Sequence, residues 1–147
     1  WALRVRLSFL AKKELLGPGV GWLMRWFGAV PVDRSKSGNT VQGVVDLFNS
    51  RPGMYLAVPP SGTRSKRDHW KSGFYPMARG AEVPILCGFL DFKRKVGGIG
   101  PVVHLTGDVS VDMDRIREIY GPIGGKYPEK VSDIRIREES ATERDAA

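Results

Sequence analysis

Val58-Pro59-Pro60-Ser61-Gly62-Thr63-Arg64-Ser65, followed by Trp70-Lys71-Ser72-Gly73-Phe74 and Val83-Pro84-Ile85, is the stretch on which the fold turns. It reads as a strand end, a tight turn carrying hydroxyls and an arginine, a basic start to a helix, and a second apolar strand. Gly62 permits a turn whose backbone N–H groups face an anion, and the flanking hydroxyls add donors. Guanidinium groups present a planar, permanently charged fork to phosphate oxygens.

The same alternation extends outward. Val5–Ala11 and Ala29–Asp33 read as strands, with an aromatic helical segment, Leu15–Phe27, between them that Gly28 ends. Val41, Val44, Val45 and Phe48 fall at i, i+3, i+4 and i+7, one face of a helix that Asn39 or Ser37 can cap and Arg51-Pro52-Gly53 stops. Met54–Val58 is a buried strand, Ser72–Gly80 a short helix and Pro84–Leu90 another buried strand. Val96–Gly100 reads as a turn and Pro101–Leu105 as a further strand. Ser110 then caps a helix lined by Met113, Ile116 and Ile119 or Tyr120, with Asp112 and Asp114 favouring its N-terminal dipole. Alternating strands and helices predict an α/β domain with a mostly parallel sheet flanked by helices.

The 147 residues fit one domain with a sizeable core over residues 1–131, followed by a polar tail, 132–147, expected to be disordered. Apolar runs are broken by Gly, Pro, Arg or Lys well before the roughly 18 residues of a membrane span. The single cysteine, Cys87, excludes an internal disulfide and suits a reducing compartment. Net charge is +7. From Glu138 onward four acids face one base, which leaves 22 bases against 12 acids before that point. Such a basic body implies an anionic partner: a phospholipid surface, a nucleic acid or a phosphate-bearing substrate.

In α/β sheets ligands gather at the carboxyl ends of strands. Two such ends carry polar clusters here, Asp33-Arg34-Ser35 and Ser61-Gly62-Thr63-Arg64-Ser65. Either arginine alone reads more readily as a solvated or capping side chain. Two clusters on successive strand ends, in a fixed order of neighbours, read as a site.

The order of these motifs, from about Phe9 to Asp91, resembles the glycerolipid acyltransferase family, whose best-known members acylate lysophosphatidic acid. Gly28-Ala29-Val30-Pro31-Val32-Asp33-Arg34 resembles the family's second motif, which gives Arg34 a role in holding the substrate phosphate. Pro60 through Ser65 resembles the third, usually written Pro-Glu-Gly-Thr-Arg-Ser. Gly62, Thr63, Arg64 and Ser65 match it, and Arg64 becomes the second phosphate-binding arginine. Lys71 and Gly73 fit the Phe-Lys-x-Gly element that follows, and Val83, Pro84 and Ile85 resemble the fourth motif, which shapes the acyl-chain side of the site.

The resemblance implies transfer of a fatty acyl group from acyl-CoA or acyl-ACP, the co-substrate, to a hydroxyl of a phosphate-bearing glycerolipid. It implies no metal and no further cofactor, an anionic membrane surface as partner, and a cytoplasmic location peripheral on the membrane. Trp22, Trp26 and nearby Lys12, Lys13 and Arg25 suit a headgroup zone, or else a helix packed into the core.

There are two departures. Ser61 stands where the motif has glutamate, so an uncharged hydroxyl replaces a carboxylate. The family's His-x4-Asp dyad is missing: His69 has Phe74 at the fifth position and His104 has Val109, with Asp108 one place too early. The dyad is therefore expected upstream of Trp1, no catalytic residue is assigned within the chain, and the fragment alone is expected to be inactive. An inert phospholipid-binding relative is the alternative. A nucleic-acid module would need a recognisable motif, and a P-loop would need Gly-x4-Gly-Lys-Ser/Thr; neither is present.

Overall fold

A computed structural model describes residues 7–12, 17, 19, 21–32, 37–62 and 65–139. The chain divides into two compact units, Trp1–Pro59 and Pro60–Ala147. Among the predicted site residues, Arg34, Thr63 and Arg64 lie outside the described residues, as do Val5, Arg6 and residues 140–147.

The first unit is built on three parallel strands, β1 (Leu7–Lys12), β2 (Ala29–Val32) and β3 (Tyr55–Ala57), in the order β2-β1-β3. Phe9 pairs with Ala29 on one side and Ala57 on the other. Parallel neighbours require crossovers, and helices supply them: α1 (Gly21–Trp26) joins β1 to β2, and α2 (Ser37–Ser50) carries the chain past β1 to β3. Pro31 sits in a strand at the border of these three, a position that tolerates a residue without an N–H.

Gly28 fixes the α1–β2 junction. It adopts φ +92°, and a Cβ there would run into the carbonyl oxygen of Leu7. Ala11 and Ala29 are buried, with Phe9 and Met24 packed on them. The predicted face of α2 is observed, with Val44 and Val45 buried and Val41 and Phe48 half-buried. Strand β3 is less covered than its apolar letters predict, since Tyr55 is exposed.

The second unit contains α3 (Phe74–Gly80), an antiparallel hairpin of β4 (Ile85–Asp91) and β5 (Val96–Val103), and α4 (Val109–Tyr120). A 3-10 turn at Pro128–Lys130 follows. The hairpin differs from the expectation of a turn over 96–100. The turn lies earlier, at residues 92–95, where the Asp91 carboxylate accepts the N–H groups of Lys93 and Arg94. The glycines that suggested a turn are strand residues instead. At Gly97 a Cβ would stand 2.7 Å from the Leu90 side chain on the opposite strand, so the Leu90 side chain takes the space that a side chain at 97 would need.

Tyr75, Cys87, Val103, Met113, Ile116 and Ile136 form the core of this unit. Helix α4 is capped by Asp108 rather than Ser110: its Oδ1 accepts from the backbone N–H groups of Ser110 and Val111. The stretch from Ser132 to Glu139, read from sequence as the start of a polar tail, is packed. Ile136 is 1% exposed, and Ser132 and Glu139 are buried. One apolar side chain every second residue, Ile134 then Ile136, is too short a pattern to betray a strap laid along other elements.

Candidate functional site

Strands β2 and β3 both run parallel to β1, so their carboxyl ends lie at one edge of the sheet. The next residues in the chain are Asp33-Arg34 after β2, and Val58-Pro59 leading to Pro60-Ser61-Gly62 after β3.

Within the second unit the segment from Pro60 to Lys71 is a closed loop. The Lys71 N–H donates to the Pro60 carbonyl at 2.9 Å, joining its two ends. Gly62 adopts φ +59°, the left-handed region where a side chain is strained. A Cβ at Gly62 would lie 2.8 Å from Cδ and from Cε of Lys71 and 3.2 Å from its Nζ. The lysine stem therefore lies along the glycine backbone and brings its ammonium close to Gly62. Two features of one residue combine here: the conformation that turns the chain, and the missing side chain that lets a cation approach the backbone. Ser61 is half-buried and Ser65 exposed.

After Lys71 the chain enters α3, whose Tyr75 reaches the first turn of α4. The Tyr75 hydroxyl donates to Asp112 Oδ2 at 2.8 Å. Asp112 also accepts the Thr106 N–H and hydroxyl and the Gly107 N–H. Burial alone would raise the Asp112 pKa, but these four donors together hold it below the ordinary aspartate value. Burial and the neighbouring carboxylate push the Tyr75 hydroxyl up to about 12. The sequence places Asp112 in the first turn of α4, favouring the helix dipole; the structure adds that it is a fully buried clasp joining α3, α4 and the loop before α4.

Of the fourth-motif residues, Val83 is half-buried and bonds back to the Ala78 carbonyl at 3.0 Å, Pro84 is exposed, and Ile85 packs against the core cluster. His69 does not face solvent freely: its Nε2 accepts from Arg137 Nε at 2.7 Å, so that lone pair is engaged. His104 is exposed just beyond β5. No group of three metal-ligating side chains occurs among the described residues. An open groove of about 400 Å³ runs between the hairpin and α4, past Phe89, Asp91, Pro101 and Ile119, and none of the loop residues lines it.

The sequence profile of the Acyltransferase family matches residues 1–88. The chain belongs to the acyltransferase family. No curated protein and no solved structure matches it. The matched part of this acyltransferase takes in the three-stranded sheet, the closed loop, α3 and the first half of β4. The rest of the hairpin, α4 and the packed stretch 132–139 lie beyond it.

That last stretch bears on the loop. The Arg67 N–H donates to Ser132 Oγ at 3.0 Å, the Asp133 N–H to the Arg67 carbonyl at 3.2 Å, and the Trp70 N–H to the Arg135 carbonyl at 2.7 Å. Sequence reasoning missed this contact, because nothing in 132–137 resembles a partner for 67–70. No helix among the described residues of the acyltransferase is long and apolar enough to cross a membrane.

Proposed function

We propose that this acyltransferase moves a fatty acyl group from a coenzyme A or acyl carrier protein thioester to a hydroxyl of a phosphate-bearing glycerolipid such as lysophosphatidic acid. The observation that carries the reading is the closed loop Pro60–Lys71, with its left-handed Gly62 and the Lys71 side chain laid against it. A glycine turn with hydroxyls, followed by arginine and covered by an ammonium, is suited to a phosphate monoester. On this reading Arg34 and Arg64 neutralise the phosphate, Ser61, Gly62, Thr63 and Ser65 shape its cradle, and Lys71 adds a third cation. Val83, Pro84 and Ile85 border the acyl chain.

The acceptor oxygen attacks the thioester carbonyl, the C–S bond breaks, and the proton lost by the hydroxyl passes through a base to the departing thiolate. In the family that base is a histidine with an aspartate five positions on, a pair that neither His69 nor His104 makes. His69 is no substitute, with its Nε2 held by Arg137. On this reading the 147 residues by themselves are expected to give no turnover. No metal or redox cofactor enters the scheme.

Peripheral attachment to an anionic membrane on the cytoplasmic side completes the reading. Trp22 and Trp26 are 70% and 76% exposed, one helical turn apart, with Phe27 edge-on to Trp26 at 5.0 Å and Arg25 beside them. Interfacial aromatics flanked by a base fit the headgroup layer.

Ser61 supports a second reading, an inert phospholipid-binding relative, because an uncharged hydroxyl occupies the motif's glutamate position. Kinetics of the full-length protein separate the two. Arg64→Ala is expected to raise the acceptor KM sharply or abolish turnover. Wild-type kinetics in that variant would remove Arg64 from the site, and no turnover by the wild type would favour the inert reading.

A further inference from the structure

We infer that the strap Ser132–Glu139 is a positioning element for the anion loop. It holds Arg67–Lys71 in register from beyond the part of the chain that carries the family's sequence pattern. The inference rests on the reading that this loop binds the acceptor phosphate.

One side of the strap is fixed to the core. Ile136 is fully buried, and Arg117 of α4 donates to the Ile134 carbonyl at 3.0 Å and to Glu139 Oε1 at 2.7 Å. The other oxygen of Glu139 turns back to take the Ile136 N–H at 2.8 Å. Each strap residue so held is thus tied to an element that cannot shift without opening the core.

The other side of the strap grips the loop. Ser132 takes the Arg67 N–H, Asp133 donates to the Arg67 carbonyl, Arg135 takes the Trp70 N–H, and Arg137 donates to His69. Trp70 is itself set edge-on against Phe74 and Tyr120, at 6.4 and 5.6 Å between ring centres. The next residue is Lys71, whose backbone closes the loop on Pro60 and whose side chain covers Gly62. Apart from Pro60 and Trp70 the loop is polar, so between those two anchors its conformation leans on these borrowed hydrogen bonds. The strap supplies them, and it sets where the Lys71 ammonium stands.

Ser132 offers the cleanest test, because its hydroxyl serves the loop and leaves the buried apolar side chains alone. In the full-length protein, Ser132→Ala is expected to raise the KM for lysophosphatidate, presented in detergent micelles with palmitoyl-CoA as donor, by about five-fold, the equivalent of one hydrogen bond. The kcat stays unchanged. Ser132→Thr, which keeps the hydroxyl, restores the KM. Amide exchange over Arg67–Lys71 quickens in Ser132→Ala and not in Ser132→Thr.

An unchanged KM in Ser132→Ala overturns the inference, as does a joint loss of kcat and KM that threonine fails to restore. Lys71→Ala in the same assay separates this outcome from failure of the reading beneath it. If Lys71→Ala raises KM while Ser132→Ala does not, the strap has no such role. If neither variant moves KM, the loop is not the phosphate site and both ideas fall.

Discussion

Lys71 lies flat against Gly62, its Cδ and Cε each 2.8 Å from where a β-carbon of residue 62 would stand. The glycine is thus required twice, once by its φ of +59° and once by the neighbour that occupies its side-chain space. Gly62→Ala is expected to cost about 1 kcal/mol of stability through the backbone alone. Moving the tip of a lysine adds little energy, but it carries the ammonium away from the loop, so the acceptor KM rises as well. Combining the variant with Lys71→Ala distinguishes the two effects. The stability loss persists in that background, measured by chemical denaturation, while Gly62→Ala no longer changes KM.

Asp112 gives a prediction about pH. Its carboxyl has a lower pKa folded than unfolded, so it binds a proton less readily in the native state. The stabilisation it provides is fully present above the unfolded aspartate value, near pH 4, and is lost as pH falls through the lower folded value. Tyr75 works in the opposite direction. With its folded pKa raised to about 12, its contribution holds below the ordinary tyrosine value of about 10 and disappears as pH climbs toward 12. Asp112→Asn should flatten the acid limb of the stability curve, and Tyr75→Phe should remove one late step from the ultraviolet titration of tyrosinate. Asp112→Ala strands the N–H groups of Thr106 and Gly107 and is expected to cost about 3 kcal/mol.

These two cases mark what the sequence could reveal. Period and punctuation are local signals, so the β1–α1–β2–α2–β3 order, the Val44/Val45 face of α2 and the role of Gly28 were all legible before any coordinates. Gly62 was legible too, as a turn glycine in a motif. The Lys71 side chain lying over it was not, because nothing in the spacing of 62 and 71 says that the loop closes. The burial of Asp112 was hidden for a related reason. A charged residue in the first turn of a helix normally faces water, and only the donors arriving from residues 75, 106 and 107 explain its burial. The strap was hidden most completely, since its partners stand some 65 residues earlier in the chain.

Arg117 and Glu139 make the strap's anchorage measurable. Glu139 is buried and Arg117 bonds it at 2.7 Å while also reaching Asp114 at 2.7 Å. Arg117→Met leaves the Glu139 charge buried without its partner, a change expected to cost about 3 kcal/mol. Asp114→Asn removes only an exposed pair and should cost well under about 1 kcal/mol. Ile136→Ala opens a cavity at a site that is 1% exposed and is expected to destabilise by about 3 kcal/mol. Denaturation midpoints of the three variants, ranked in that way, would establish 132–139 as part of the folded domain's energetics. Three near-neutral values would mean that the strap rests on the core without contributing to it.

The exposed aromatic helix gives the last prediction. Trp22 and Trp26 stand one turn apart on α1 and turn most of their surface outward, while Met24, from the same helix, packs on the sheet core. A helix of six residues that directs one side chain inward and two indoles outward has little structural use for those indoles. Trp22→Ala and Trp26→Ala are therefore expected to leave stability nearly unchanged, within about 0.5 kcal/mol each. Both should weaken sedimentation with vesicles containing phosphatidylglycerol, and the pair together should weaken it more than either alone. Vesicles of phosphatidylcholine serve as the reference, because a purely aromatic contact would bind both kinds equally, whereas the basic body favours the anionic one. If the double variant binds anionic vesicles like the wild type, attachment does not run through α1, and the indoles need another partner.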